Sequence, residues 1–291
     1  MAGSGGGEVE VWRGAVAPWE CDAAGRWLAR FHLARALEGL VGLAAELGMA
    51  EAFAPTAVST LQVREHHVRF LGEARAGEPA VMTAGVLSLG EDDAQVLQVL
   101  ERGDGEPLSA IVARLAHVSV REARPFAWSG RIREAAAALA VKAPHFARPS
   151  GLAADPPEID ASRERAEALG VPVAGCGAVR PDECDVFGRM RPDAVMGRCE
   201  EAAAHLFKTS AGQPLAEARL LYLRAPMAGA RLELRSAATG AGDRLAHWLL
   251  DPGDGQPWAV ALALASGEAR EAAKPAGKAA RKAPPVEAMG F

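Results

Sequence analysis

The sequence predicts an α+β chain made of two copies of one unit, each a long helix followed by antiparallel strands. Three observations carry that prediction. Residues 14–26 read GAVAPWECDAAGR and residues 177–189 read GAVRPDECDVFGR, identical at nine of 13 positions with a constant offset of 163. A helical apolar stripe follows each block. Alternating segments with a Gly-Asp-Gly turn follow each helix. One supersecondary unit must therefore account for both halves, and a helix followed by a run of strands is the α+β pattern.

Residues 9–16 alternate loosely and predict a strand. Over 28–48, Leu33, Leu37, Leu40, Val41, Ala44 and Leu47 recur at three and four residues and predict one helix face, with His32, Arg35 and Glu46 off it. Gly39 and Gly42 each cost about 1 kcal/mol of helix propensity relative to Ala, so they predict close approach of another backbone. Gly48 is the expected stop. Strands follow at 61–71, 80–89, 95–101 and 108–120, with turns at Ala76-Gly77-Glu78-Pro79 and Gly103-Asp104-Gly105. In the second copy Val195, Cys199, Ala202 and Leu206 make the helix stripe, and a strand is expected at 220–223. Gly253-Asp254-Gly255 repeats the hairpin signal at an offset of 150, so this copy is 13 residues shorter. The expected division is a unit at 9–123, a second at 172–267, and a connection at 124–171 with a short helix over 132–142. That connection is read as a Pro-rich passage across the surface. Residues 1–8 and 268–291, rich in Gly/Ser and in Ala/Lys/Pro, read as flexible tails because neither can build a core.

A net charge of −5 gives no electrostatic case for nucleic acid. No uncharged apolar run reaches the ~18 residues that suggest a membrane span. The opening MAGSGGG lacks the charged and apolar regions of a secretory leader. Four cysteines with no CxxC pair suggest reduced thiols and a cytoplasmic location. No His/Cys/Asp spacing suggests a metal, and no G-x-S-x-G elbow is present.

Each block sets two carboxylates, Glu20 with Asp22 and Glu183 with Asp185, before a glycine and a helix start. First-turn helix N–H groups lack intrahelical acceptors, so an acid there can meet a polarised carbonyl. If the stretch is extended, Glu20 and Asp22 share a side, and like-charge proximity raises one of their pKa values. In the next strand Glu65, His67 and Arg69 alternate onto one face, where they could line a substrate or simply form a polar surface.

ECDAAGR and ECDVFGR resemble the Asp-x-Asp-x-x-Gly signature of hotdog-fold thioesterases of the 4-hydroxybenzoyl-CoA thioesterase type. Residues 67–77, HVRFLGEARAG, resemble the thioesterase domain of betainyl-CoA thioesterases. The resemblance covers about 9–123 and 172–267. It implies a tandem hotdog fold, each unit a long helix wrapped by a curved antiparallel sheet, forming an intramolecular pseudo-dimer that could associate further into homo-oligomers. It also implies acyl-CoA hydrolysis, with coenzyme A part of the substrate and no separate cofactor. Asp22 and Asp185 match the family's catalytic acid, expected to act as base or nucleophile; the residue pattern adds Glu20 beside it, amides near Gly25 and Ala29 as oxyanion donors, and Glu65, His67 and Arg69 lining the substrate region. The family's His-Val-Asn-Asn is here Arg26-Trp27-Leu28-Ala29 and Arg189-Met190-Arg191-Pro192. Pro192 has no N–H, so the second site is expected to be the weaker. The competing readings are a hydratase or dehydratase, a non-catalytic acyl-CoA-binding protein, and an Asp22 that only caps a turn. Hydratase chemistry usually needs an Asp-His pair, which neither block supplies.

Overall fold

The computed structural model describes residues 7–152, 161–207, 214–239 and 243–266; most of both expected tails lies outside these. The chain divides into two compact units. The first comprises Met1–Cys21, Gly25–Trp27 and Phe31–Arg148, the second Asp22–Ala24, Leu28–Arg30 and Pro149–Phe291. Along the first copy run β1 (Val9–Ala15), α1 (Ala29–Glu46), β2 (Ser59–Phe70), β3 (Pro79–Leu89), β4 (Asp93–Arg102), β5 (Pro107–Ser119) and α2 (Gly130–Ala138). The second has α3 (Arg163–Ala168), β6 (Val173–Ala178), α4 (Pro192–Phe207), β7 (Leu215–Tyr222), β8 (Arg231–Thr239), β9 (Arg244–Leu250) and β10 (Pro257–Ala265). Strand order is β1-β3-β4-β5-β2 in one and β6-β8-β9-β10-β7 in the other, the same sequence of neighbours, antiparallel throughout.

The buried face of α1 is His32, Leu33, Ala36, Gly39, Leu40, Leu43 and Ala44. This corrects the expected stripe: Val41 is 46% exposed, and His32 is buried. The face includes both glycine positions, where the helix comes closest to the sheet. A Cβ on Gly42 would lie 2.9 Å from the Val11 carbonyl oxygen, and one on Gly39 would lie 2.9 Å from Gln98 Nε2, Met82 Sδ and Val11 Cγ2. Close approach is therefore what the glycines supply, and Gln98 seals it by donating to the Ala36 carbonyl at 2.7 Å. His32 places Nδ1 3.0 Å from Ser109 Oγ, between the rings of Trp27 and Phe70. Burial pushes its pKa down to about 3, so the ring is neutral. We expect Gly42→Val to destabilise the fold by about 2 kcal/mol through overpacking against β1. A urea denaturation midpoint equal to that of the unaltered chain would show that β1 yields freely.

The connection divides between the units at Arg148 and Pro149. α2 begins at the Ser129 N-cap and ends at Ala138 rather than 142. Leu139 and Val141 leave the helix to exchange backbone hydrogen bonds with Val86 of β3 at 2.8 and 2.9 Å. Further on, Ala147 packs with Leu97, Val99 and Ala110. Leu152, Ala161 and Ala166 join the cluster around fully buried Trp248. The Pro-rich passage thus contributes core residues to both units. No helix among the described residues is long and apolar enough to cross a membrane.

Candidate functional site

Both copies of the block fold alike. Pro18–Glu20 and Pro181–Glu183 each form one 3-10 turn, with proline where its fixed φ is favourable. Glu20 Oε2 accepts from the Ala17 amide at 3.3 Å and the Trp27 indole at 3.1 Å, while Oε1 pairs with the Arg35 guanidinium. Glu183 accepts from the Arg180 amide at 2.8 Å and pairs with Arg198 at 2.8 Å. Arg35 and Arg198 hold equivalent positions on their helices, so each glutamate ties its turn to the helix that follows. The expectation for Glu20 is thereby corrected. It is 4% exposed, closes the 3-10 turn and is paired with Arg35, so its carboxylate serves the fold.

After each turn the chain closes a short loop through the bridges Cys21 with Trp27 and Cys184 with Met190. Asp22 Oδ1 accepts the Ala24 amide at 2.8 Å, and Asp185 Oδ1 accepts the Phe187 and Arg189 amides, both at 2.9 Å. Gly25 and Gly188 share φ +77, a left-handed conformation that a Cβ disfavours. The two acids differ in setting: Asp22 is half-buried, whereas Asp185 is exposed. α1 begins at Ala29, which carries an N–H, and α4 begins at Pro192, which does not. Arg191, with no charged counterpart in the first copy, pairs with Asp193 at 2.9 Å. The Cys184 thiol donates to the Arg180 carbonyl at 3.4 Å; burial, then Asp185 and Glu183, raise its pKa, which keeps it a thiol rather than a nucleophile.

β2 is buried on both faces from Glu65 to Val68. The Glu65 carboxylate lies 3.9 Å from Arg114, and His67 is 7% exposed. Arg69 donates to the Arg148 carbonyl at 2.7 Å, so it fastens the connection. Glu217, the second-copy counterpart of Glu65, is fully buried and accepts from Ser150 Oγ at 2.8 Å and the Gly151 amide at 2.9 Å. Holding the connection is thus a role for Arg69 and Glu217 that the alternation pattern did not reveal.

A further carboxyl group, missed in the sequence, is Glu200 of α4, in the same unit as Asp22–Ala24 and Leu28–Arg30. Its Oε1 accepts the Arg30 amide, in the first turn of α1, at 3.3 Å, and its Oε2 lies 3.8 Å from Arg30 Nε. Burial raises its pKa to about 7, with the Arg30 charge and the first-turn amides pulling the other way. Near neutrality this carboxyl can hold or release a proton. Its neighbour Cys199 lies on the expected stripe, so position alone suggested a flank rather than a site.

No protein-family model and no curated protein sequence matches the chain. Solved structures do. An acyl-ACP thioesterase from Bacteroides thetaiotaomicron superposes with a TM-score of 0.71 at 10% identity, over 89% of this chain and 98% of that one. The 12:0-ACP thioesterase from Umbellularia californica gives 0.69 at 13% identity, over 90% and 98%. At such identity the likeness establishes shared architecture: this chain has the α+β hotdog-type fold of these thioesterases.

Proposed function

We propose that the chain is a tandem hotdog acyl-thioester hydrolase whose working carboxylate is Asp22. The observation that carries this reading is the extent of the likeness: nearly all of this chain corresponds to nearly all of a thioesterase. Two units would then make one enzyme as an internal pseudo-dimer. Asp22, in the turn before α1, takes a proton from water as the water oxygen attacks the thioester carbonyl. Amides near Gly25 and Ala29, at the positive end of the helix, stabilise the oxyanion, the Ala29 amide turning to it from the Glu200 carboxyl. Collapse of the intermediate breaks the C–S bond, and the leaving sulfur takes the proton to give a free thiol and a free acid. In the second copy Asp185 serves its own turn, and the chemistry there lacks the amide that Pro192 removes.

The thioester would be carried on pantetheine, either of coenzyme A or of an acyl carrier protein. Free-thiol release from acyl groups running from acetyl to palmitoyl, presented on each carrier, tests the reading and separates the two carriers. Hydration of an enoyl thioester without thiol release would replace the hydrolase with a hydratase. Binding without turnover would leave a carrier protein.

A further inference from the structure

An open groove of ≈ 580 Å³ lies in the first unit, past the C-terminal end of α1 and at the start of β2. α1 has 18 residues, so about 27 Å of helix separates the groove from the turn that holds Asp22. Ser59 opens β2 and pairs with Ser119 of β5, while Leu61 pairs with His117, so Ser59 and His117 stand diagonally on one face. His117 Nε2 lies 2.9 Å from Ser59 Oγ, and both residues line the groove. The ring is 2% exposed, stacks on Trp128 at 4.5 Å and meets Phe126 edge-on at 5.2 Å, so its orientation is fixed. Burial lowers its pKa and the Phe126 backbone opposes this, which leaves the imidazole neutral at pH 7 and able to take a proton. Nδ1 is buried without a full hydrogen bond, so among the described residues Ser59 is the one side chain bonded to the ring. The hydroxyl is reached past apolar groups: Val58 and Phe126, also in the lining, are 79% and 47% exposed.

We propose that Ser59 and His117 form a second hydrolytic centre, independent of Asp22, that cleaves small uncharged carboxylic esters. Ser59 Oγ attacks the ester carbonyl as His117 Nε2 takes its proton. The C–O bond to the alcohol breaks, and the alcohol leaves with that proton. Water then gives a proton to Nε2 and its oxygen to the acyl carbon, and the acid departs as Ser59 Oγ recovers the proton. Val58 and Ala127 line the groove, and no backbone acceptor among the described residues takes their amides, which leaves these for the oxyanion. The class of substrate follows from the lining. Its one carboxylate, Glu51, is offset by Arg131, whose Nε lies 3.4 Å from where a Cβ on Gly48 would stand. Apart from His117 the other lining side chains are apolar or carry hydroxyls. No net charge therefore awaits a charged substrate, and Val58 and Phe126 favour an apolar group on either side of the ester.

The test treats the full chain with an alkyl fluorophosphonate, which bonds phosphorus to an activated serine oxygen and releases fluoride, and locates the adduct by peptide mass spectrometry. Alongside it, hydrolysis of p-nitrophenyl acetate and butyrate is compared with thiol release from acyl thioesters. The adduct is expected on Ser59. Ser59→Ala, which removes one atom, should lower ester hydrolysis by about a hundredfold while thiol release stays within about twofold, and His117→Gln should slow the labelling by about a hundredfold. No adduct on Ser59, no ester turnover by the unaltered chain, or equal ester turnover in Ser59→Ala each overturns the proposal. Thiol release that falls together with ester cleavage in Ser59→Ala overturns the independence of the two centres. If His117→Gln fails to fold, Ser59→Ala and the position of the adduct decide. A chain that cleaves esters through Ser59 but no thioester would end the Asp22 reading and leave this centre standing.

Discussion

Asp22→Asn is expected to lower kcat by about a hundredfold or more, while Asp185→Asn stays within about threefold of the unaltered chain. The two aspartates occupy one position in the repeat, so any difference must come from their surroundings. Asp22 is half-buried and its helix starts at Ala29, whose amide bonds to Glu200 and can turn to a substrate. Asp185 is exposed, its Oδ1 accepts two amides of its own turn, and its helix starts with proline. Asparagine keeps the Oδ1 acceptor, so both turns persist and the exchange removes charge and basicity alone. Initial rates with a saturating thioester, alongside melting temperatures, separate chemistry from folding. Equal losses in the two variants would sink the asymmetry. Full activity in Asp22→Asn would shift the proton transfer to Glu200.

The architecture was legible because two signals survive any tertiary context: the repeated block, and glycines that only a close neighbour explains. Gly42 against Val11 is the clearest case. Less legible were properties set by how faces rotate. Large residues alone define an α1 stripe of which Leu33, Leu40, Ala44 and Leu47 are buried, but they do not show that the face extends to His32 and leaves Val41 half exposed. Pro18 at the first turn position is a sign of the 3-10 turn that holds Glu20, but nothing in the spacing shows its pairing with Arg35. Glu200 could not be found from spacing, since its environment comes from Arg30, 170 positions away. The repeat also carries a lesson about identity between copies. Proline starts the turn, glutamate ties it to the helix, aspartate accepts the turn amides and glycine supplies the left-handed φ. These four identical residues thus have folding roles in both copies, and chemistry must be argued from where the copies differ.

Glu20→Ala should be the most destabilising single change in the block, by about 2–3 kcal/mol, because Arg35 loses its buried partner and keeps only the half-exposed Glu38 carboxylate at 2.6 Å. The side chains of Glu20 and Arg35 are 5% and 16% exposed, so solvent screens the pair little. The same change frees the Ala17 amide and the Trp27 indole. Domains of this kind are stable by roughly 5–15 kcal/mol, so a loss of that size consumes a large part of the margin. Replacing both partners by apolar groups, Glu20→Leu with Arg35→Met, should cost less than Glu20→Ala alone, since the one charge left unpaired, Glu38, is half exposed. Urea denaturation of the single and double variants measures this, with separate transitions expected if the units unfold independently. Glu20→Gln adds the functional control: it keeps an acceptor for the indole, and its kcat per folded molecule should be unchanged. A kcat loss matching that of Asp22→Asn would instead return Glu20 to the chemistry. A Glu20→Ala variant within about 1 kcal/mol of the unaltered chain would show that Glu38 alone satisfies Arg35, and that the turn is held by its proline.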